Sequence, residues 1–522
     1  MAEKLLRSGL IVSSMTLISR VLGLLRDMVI ASFVGAGAAA DAFFFANRIP
    51  NFLRRLFAEG AFAQAFVPVL SEVKAKHGDD AVRALVAKVA GTLGVIVTLV
   101  TLFGVIASPL VALLFGMGWF IEWLQGGPDA ARFELASYML KITFPYLWFI
   151  SLVALSGAIL NTYNKFAVAA FTPVFLNIAI IVAAVFASDW FAEPAIALAW
   201  GVFFGGLIQL LFQLPFLAKA GLLVRPRWGW HDPGVVKIRT LMLPALFGVS
   251  VSQINLLLDT LIASFLLTGA VSWLYYSDRL LEFPLGLFGI AIATVILPTL
   301  SRMHANASTQ DFRHTLDWAL RFIALFGFPA MAGLMVLGKP IIAVLFMRGE
   351  FSATDVDMVS YSLFAYATGL FSFMLIKILA PAYYARQDMK TPVKIGVIAM
   401  VANMAFNLIL APFLSYVGLA LATALSASLN AILLYHGLKK TEVYRLSGMS
   451  MLFVFRVMLA SGVMAFILWW WLPDMAVWYQ QSAVWQIGQL VMFCVLGAAA
   501  YFGFLWLLGG RFHHIQRQHH SG

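Results

Sequence analysis

Apolar runs of roughly 20 or more residues recur along the whole chain, separated by short polar connections. A bilayer core about 30 Å thick takes about 20 apolar residues of helix. The pattern therefore predicts spans near 10–34, 41–71, 88–116, 135–160, 167–188, 194–217, 240–267, 271–301, 315–337, 357–384, 393–413, 417–437, 451–472 and 484–508. The expected fold class is all-α integral membrane, with about 14 transmembrane helices. No connection exceeds about 25 residues, too few for an appended soluble domain. Several spans run long and hold Pro50, Gly60, Pro68, Pro284, Pro298 or Pro381, so kinks or tilts are expected.

Composition agrees: 62% of residues are hydrophobic and 11% charged, against about 25% charged in soluble proteins. The net charge of +11 would suggest nucleic acid in a soluble chain. Here the cations sit in alternate connections, so a nucleic-acid partner is not expected. One set of connections and ends holds Lys4, Arg7, Lys74, Lys76, Arg83, Lys88 and Lys165, then Lys219 to Arg239, Arg302, Arg313, Arg386 to Lys394, Lys439 to Arg445, Arg511 and Arg517. The other holds only Arg132, Lys141, Lys339 and Arg348. Positive charge marks the cytoplasmic side, so both termini are expected there. The start resembles a signal peptide, with Ala38-Ala39-Ala40 as its cleavage site, but Arg20, Arg26 and Asp27 interrupt the apolar stretch. It reads as a retained first helix. The lone Cys494 reads as packing.

An internal repeat runs through the chain. Ile-Ala-Ser-Phe occupies 30–33 and again 262–265. At that offset Asp27 matches Asp259, Gly37-Ala38 matches Gly269-Ala270, and Phe43-Phe44 matches Tyr275-Tyr276. Six helices separate the copies, which implies two parallel-repeat six-helix lobes around a central cavity. The domains expected are an N-terminal lobe at 1–218, a cytoplasmic linker at 219–239, a C-terminal lobe at 240–438, and two extra helices at 451–508.

Charges within or beside spans are the candidate chemistry. A central arginine costs about 2.5–3.5 kcal/mol on insertion scales. Five facing lipid (Arg20, Arg26, Arg54, Arg55 and Arg279) would cost on the order of 12–18 kcal/mol, more than a typical fold's stability. They are expected to line a wet cavity or to sit in pairs. Arg55 with Glu59, and Arg279 with Glu282, share helix faces, as do Asp278 with Glu282 and Arg20 with Asp27. The guanidinium fork suits phosphate, so the cation excess points to an anionic ligand. Arg7, Arg48, Arg321 and Arg456 lie near helix ends and read as snorkelling to headgroups. Asp259, with Asn403 and Asn407 four apart, could supply oxygens to Na⁺ or carry a proton; alternatively Asp259 neutralises a cavity arginine.

Enzyme signals are poor. Gly333 to Lys339 has Walker spacing, but Pro340 replaces the required Ser/Thr. Gly35 to Ala40 mimics a dinucleotide fingerprint without flanking strands. The histidines from His513 to His520 read as a solvated tail, and Trp469, Trp470 and Trp471 as an interfacial belt. No metal and no cofactor is expected beyond Na⁺ or H⁺ as a coupling ion.

Ser13 to Gly23, Arg26-Asp27, Asp41 to Phe44 and Pro50 to Phe62 resemble the opening of the MurJ/MviN lipid II flippases. Val271-Ser272-Trp273, Tyr275-Tyr276, Asp278-Arg279-Leu280, Glu282-Phe283-Pro284 and Ala385 to Pro392 continue the resemblance. It implies the multidrug/oligosaccharidyl-lipid/polysaccharide exporter fold, with helices 13 and 14 forming a groove for a polyprenyl tail. It also implies substrate binding at Arg20, Arg26, Asp41, Arg54, Arg55 and Arg279, with Asp27, Glu59, Asp278 and Glu282 as a supporting charge network. Some members of that family bind sodium through an acidic residue on helix 7 and polar residues on helix 11.

The function expected is flipping of lipid II from the inner to the outer leaflet of the bacterial cytoplasmic membrane, during peptidoglycan and cell-wall biogenesis. Alternating access would be driven by membrane potential, an ion gradient or both. Lipid II, membrane lipids and other cell-wall synthesis proteins are the partners considered. The competing readings are export of drugs or another polyprenyl-linked oligosaccharide, a membrane glycosyltransferase, and a scaffold. The arginine excess opposes cationic drugs, and no loop offers a catalytic site.

Overall fold

The structure is a computed structural model whose description covers residues 2–56 and 61–510; side chains at 2–10, 248–249, 251–252, 290–291 and 293–294 are also outside it. The described residues form helices and connections, with no β-strand. Packing divides the chain into two compact units, Met1–Ser272 with Arg348–Phe351, and Trp273–Met347 with Ser352–Gly522.

The first unit begins with α1 (Ala2–Val34), α2 (Ala38–Arg54), α3 (Phe62–Ile106), α4 (Ser108–Phe115), α5 (Met117–Gln125) and α6 (Ala131–Thr143). It continues with α7 (Tyr146–Thr162), α8 (Phe166–Phe171), α9 (Pro173–Val182), α10 (Pro194–Lys219) and α11 (Pro233–Ala263). Its core gathers Phe66, Leu70 and Val86 of α3, Leu155 and Ile159 of α7, Leu217 of α10, and Val235 and Ile238 of α11. The repeat divides the chain before α11, whereas packing places α11 with the first unit, because it lies along α3. Residues 348–351 join this unit for a local reason. Glu350 N–H donates to the Ser32 carbonyl at 2.9 Å, and a Cβ at Gly349 would come within 2.1 Å of that oxygen.

The second unit holds most of α12 (Ala270–Pro284), then α13 (Ala291–Ala305), α14 (Thr309–Phe346), α15 (Ala353–Ala367) and α16 (Leu370–Ala385). After these come α17 (Lys390–Leu414), α18 (Tyr416–Lys440), α19 (Gly448–Trp471), α20 (Met475–Gln480) and α21 (Ala483–Leu507). Leu300, Leu316, Ile323, Met374, Ile378 and Leu434 are among its core side chains. In the connection before α17, the Thr391 hydroxyl and backbone N–H donate to Asp388 and hold its carboxyl below the usual range.

Among the described residues ten helical segments are long and apolar enough to cross a membrane, and they coincide with ten of the expected spans. The described residues of the other four stretches are largely helical too. Large apolar side chains such as Leu99, Phe103, Ile106 and Leu408 face outward. A water-soluble surface would bury them, so acyl chains are their solvent. This is a multi-pass membrane protein. Helix boundaries depart from hydropathy in two places. The connection expected at 72–87 is helical and belongs to α3, interrupted only at Gly78, whose φ is 78°. The long expected span 41–71 breaks where α2 gives way to a wider π-helical turn at Arg55 and Leu56. A second π-helical stretch, Leu285–Ile290, follows α12 at nearly the repeat offset. Helices also restart at the matching positions Ala38 and Ala270.

Candidate functional site

The expected site residues divide between the units. Arg20, Arg26, Asp27, Asp41, Arg54, Arg55 and Asp259 belong to the first; Asp278, Arg279, Glu282, Asn403 and Asn407 belong to the second. Glu59 lies outside the described residues.

On α1 the repeat's own acid is engaged. Arg26 donates from Nε and Nη2 to Asp27 Oδ1 at 3.1 and 2.9 Å, and from Nη1 to Asn177 Oδ1 of α9 at 3.0 Å. Asn177 in turn donates to the Ser19 carbonyl. The carboxylate's cation is thus Arg26, not the Arg20 that seven-residue spacing suggested. Arg20 is exposed, without an ion pair among the described residues. A long guanidinium stem can fold back on its chain neighbour, which helical-face spacing does not anticipate. The pair is nearly buried, with 12% and 4% of the side chains exposed, so its charges largely cancel where water is scarce.

On α2 a ladder leads toward the C-terminal end: Asn51 donates to Asn47, and Arg54 Nε to Asn51 Oδ1 at 3.2 Å. Arg54 is half-buried and Arg55 exposed. Arg48 does not snorkel freely, since its Nη1 donates to Thr260 Oγ1 of α11 at 2.6 Å.

Asp41, near the α2 start, has no exposed surface. Its carboxylate accepts from Gly269 N–H at 2.7 Å, Ser272 N–H at 2.9 Å and Ser272 Oγ at 2.6 Å. Those donors are orphan groups at the first turn of α12, where an anion is favoured. Arg132 of α6 contacts the same carboxylate at 3.4 Å and Glu122 at 3.0 Å, and lies over the Trp119 ring. Close by, Thr268 donates to Asp129. Glu122, Gln125, Asp129, Arg132 and Thr268 help line a cavity of about 410 Å³.

In the second unit Arg279 Nη1 pairs with Glu282 at 2.9 Å, three residues on, and its Nε donates to Tyr275 Oη at 3.3 Å. Asp278 is half-buried. Asn403 and Asn407 are fully enclosed on α17, while Asp259 of the first unit is half-buried. Among the described residues no three His, Cys, Asp or Glu side chains gather as metal ligands would.

A family model described as "Lipid II flippase MurJ" matches residues 30–488. A Vibrio cholerae protein named "Probable lipid II flippase MurJ" is 63% identical over 510 residues, spanning 98% of this chain and 97% of that one. The chain belongs to the MurJ family. A "Lipid II flippase MurJ" of Burkholderia cenocepacia is 41% identical over 522 residues, covering 98% and 99% of the two chains. Among solved structures, "Lipid II flippase MurJ, inward closed conformation" superposes with a TM-score of 0.81 at 26% identity, over 97% of this chain and 99% of that one. An inward-facing multidrug resistance MATE family transporter of the MOP superfamily shares the fold alone, at 12% identity and a TM-score of 0.67, covering 83% of this chain and 98% of that one.

Within this MurJ-family chain, Arg132 is the residue the sequence reading missed. It was counted as a charge of a connection, yet it is 3% exposed and touches Asp41. The available signal was an isolated arginine on the cation-poor side, next to an apolar span. Arg456 reaches the Gly509 carbonyl at 3.1 Å, closing the C-terminal end of α21. The side chain of Arg7 lies outside the described residues.

Proposed function

We propose that this chain flips lipid II from the inner to the outer leaflet of the bacterial cytoplasmic membrane by alternating access. The observation that carries the proposal is the family match across residues 30–488, joined to cations on α1, α2 and α12 that the hydrocarbon cannot solvate. In this reading the chain crosses fourteen times with both termini cytoplasmic. Residues 1–218 and 240–438 form the two lobes, and 451–508 hold the polyprenyl tail. Arg20, Arg26, Arg54, Arg55 and Arg279 share the diphosphate, because a planar fork matches its oxygens bidentately. Asp41 supports the site from the start of α12. The ion pairs Arg26–Asp27 and Arg279–Glu282 then serve as resting partners. At Arg26 and Arg279 an arriving diphosphate exchanges one anion for another, so neither of these two guanidiniums is left bare.

Depletion of the protein in cells, followed by assay of lipid-linked precursors, tests this. Lipid II should accumulate on the inner leaflet. Arg26→Ala and Arg279→Ala should insert normally yet fail to relieve the accumulation, whereas full rescue by both would reject arginine-based recognition. Accumulation of a different polyprenyl-linked sugar would change the cargo.

A further inference from the structure

Arg321 lies on α14, four residues beyond Asp317. Grouped by sequence with the snorkelling arginines, it is instead only 8% exposed. It makes no hydrogen bond or ion pair among the described residues. Its Nε is wholly enclosed without an acceptor, and only a small part of the side chain stays exposed. The nearest acid along the helix is already occupied. Asp317 accepts from Tyr444 Oη at 2.8 Å and from Ser447 Oγ and Ser450 Oγ at 2.6 Å each. These bonds bind it to the start of α19, whose cap is Ser447. A guanidinium this deep and unmatched calls for an anion from outside the chain.

The depth of the fork identifies the source of that anion. Arg313 donates to the Glu442 and Val443 carbonyls before α19 begins, and Asp317 meets residues 447 and 450. Arg321 therefore lies about one further turn inside, roughly 6 Å along the axis. α19 spans 24 residues to exposed tryptophans at 469–471. Its opposite end lies beside Arg321, and a span of this length would set that end near the level where headgroup phosphates meet acyl chains. Lys439, Lys440 and Arg445 are exposed around this end, beside Glu442. The balance favours an anionic membrane surface.

We infer that Arg321 is a binding site for the phosphate of an anionic phospholipid headgroup, held against α14 and α19. Arg321 belongs to none of the residues proposed to grip the diphosphate, although α19 lies largely within the 451–508 stretch proposed to hold the tail.

The test uses the full chain, delipidated in detergent, with thermal unfolding followed as phosphatidylglycerol, phosphatidylcholine or inorganic phosphate is added. Phosphatidylglycerol should raise the midpoint by about 2–4 °C, and phosphatidylcholine should not. Arg321→Met should abolish that rise. Its midpoint without lipid is the baseline against which its own response is read. Arg321→Lys, which keeps the charge but loses the fork, should bind phosphatidylglycerol roughly tenfold more weakly by native mass spectrometry. That second variant decides the matter if Arg321→Met fails to fold. An equal rise in parent and variants would overturn the site. A rise with inorganic phosphate but not with phosphatidylglycerol would overturn its lipid source.

Discussion

Asp41 and Arg132 are ninety-one residues apart in the chain, yet each completes the other's surroundings. Asp41 closes the first turn of α12 with three hydrogen bonds, and Arg132 adds a cation 3.4 Å from the same carboxylate. Removing one member of a buried pair leaves the other uncompensated. Arg132→Ala should therefore lower stability by about 3 kcal/mol, measurable by denaturation in detergent; Arg132→Lys should recover part of it. A double change with Asp41→Asn should cost less than the two single changes summed. Which residues within the spans carry unusual charge was readable from the chain, because hydrocarbon makes a charge there conspicuous; Arg132, counted with a connection, was not. Most partners were not readable either. Arg26 with Asp27, and Arg132 with Asp41, depend on side-chain reach and tertiary approach that spacing rules do not encode. Arg279 with Glu282 was readable because three residues along a helix bring the two onto one face.

Among elements, α10 illustrates how helices pack when lipid and core are equally apolar. A Cβ at Gly201 would sit 2.9 Å from Ala183 Cβ; at Gly205, 2.8 Å from Leu176 Cδ1; at Gly206, 2.8 Å from the Tyr146 ring. Close approach of backbones, with its dispersion contacts, replaces the hydrophobic drive. Gly205→Leu should overpack this seam and cost about 1–3 kcal/mol, seen as a loss of monodisperse protein on size exclusion. Gly94→Leu should be neutral, since nothing lies within 4 Å of its added Cβ. Hydropathy located the ten clear spans because apolar length is a direct demand of the bilayer. It could not locate the helical stretches that meet at the Gly78 kink of α3 or the end of α2, which depend on how the backbone turns within polar or mixed sequence.

For the whole molecule, two divisions coexist: the repeat, offset by 232 residues as Ala38 and Ala270 show, and the compact units, whose boundary falls inside α12. The repeat was legible as an ordered series of matches; the docking of α11 along α3 was not, since apolar faces carry no address. The proposed transport cycle carries its own energetics. A diphosphate of charge about −2 gains roughly 4–5 kcal/mol per 100 mV when moved outward across an inside-negative membrane. An emptied, net-positive site would be drawn back by the same field. Ionophores that collapse the potential in vesicles should therefore slow flipping. Undiminished flipping would reject this drive, and a strict Na⁺ requirement would point to Asp259, Asn403 and Asn407. The widened turn at Leu285–Ile290 carries a further consequence. Each residue of an α-helix advances about 100° around the axis, so an extra residue accommodated there sets the angular heading of everything downstream. A one-residue deletion at that point would leave α13 just as apolar and just as helical, yet swing its lipid-facing side toward its neighbours. The rotational phase of that helix is thus stored in a single loosened turn.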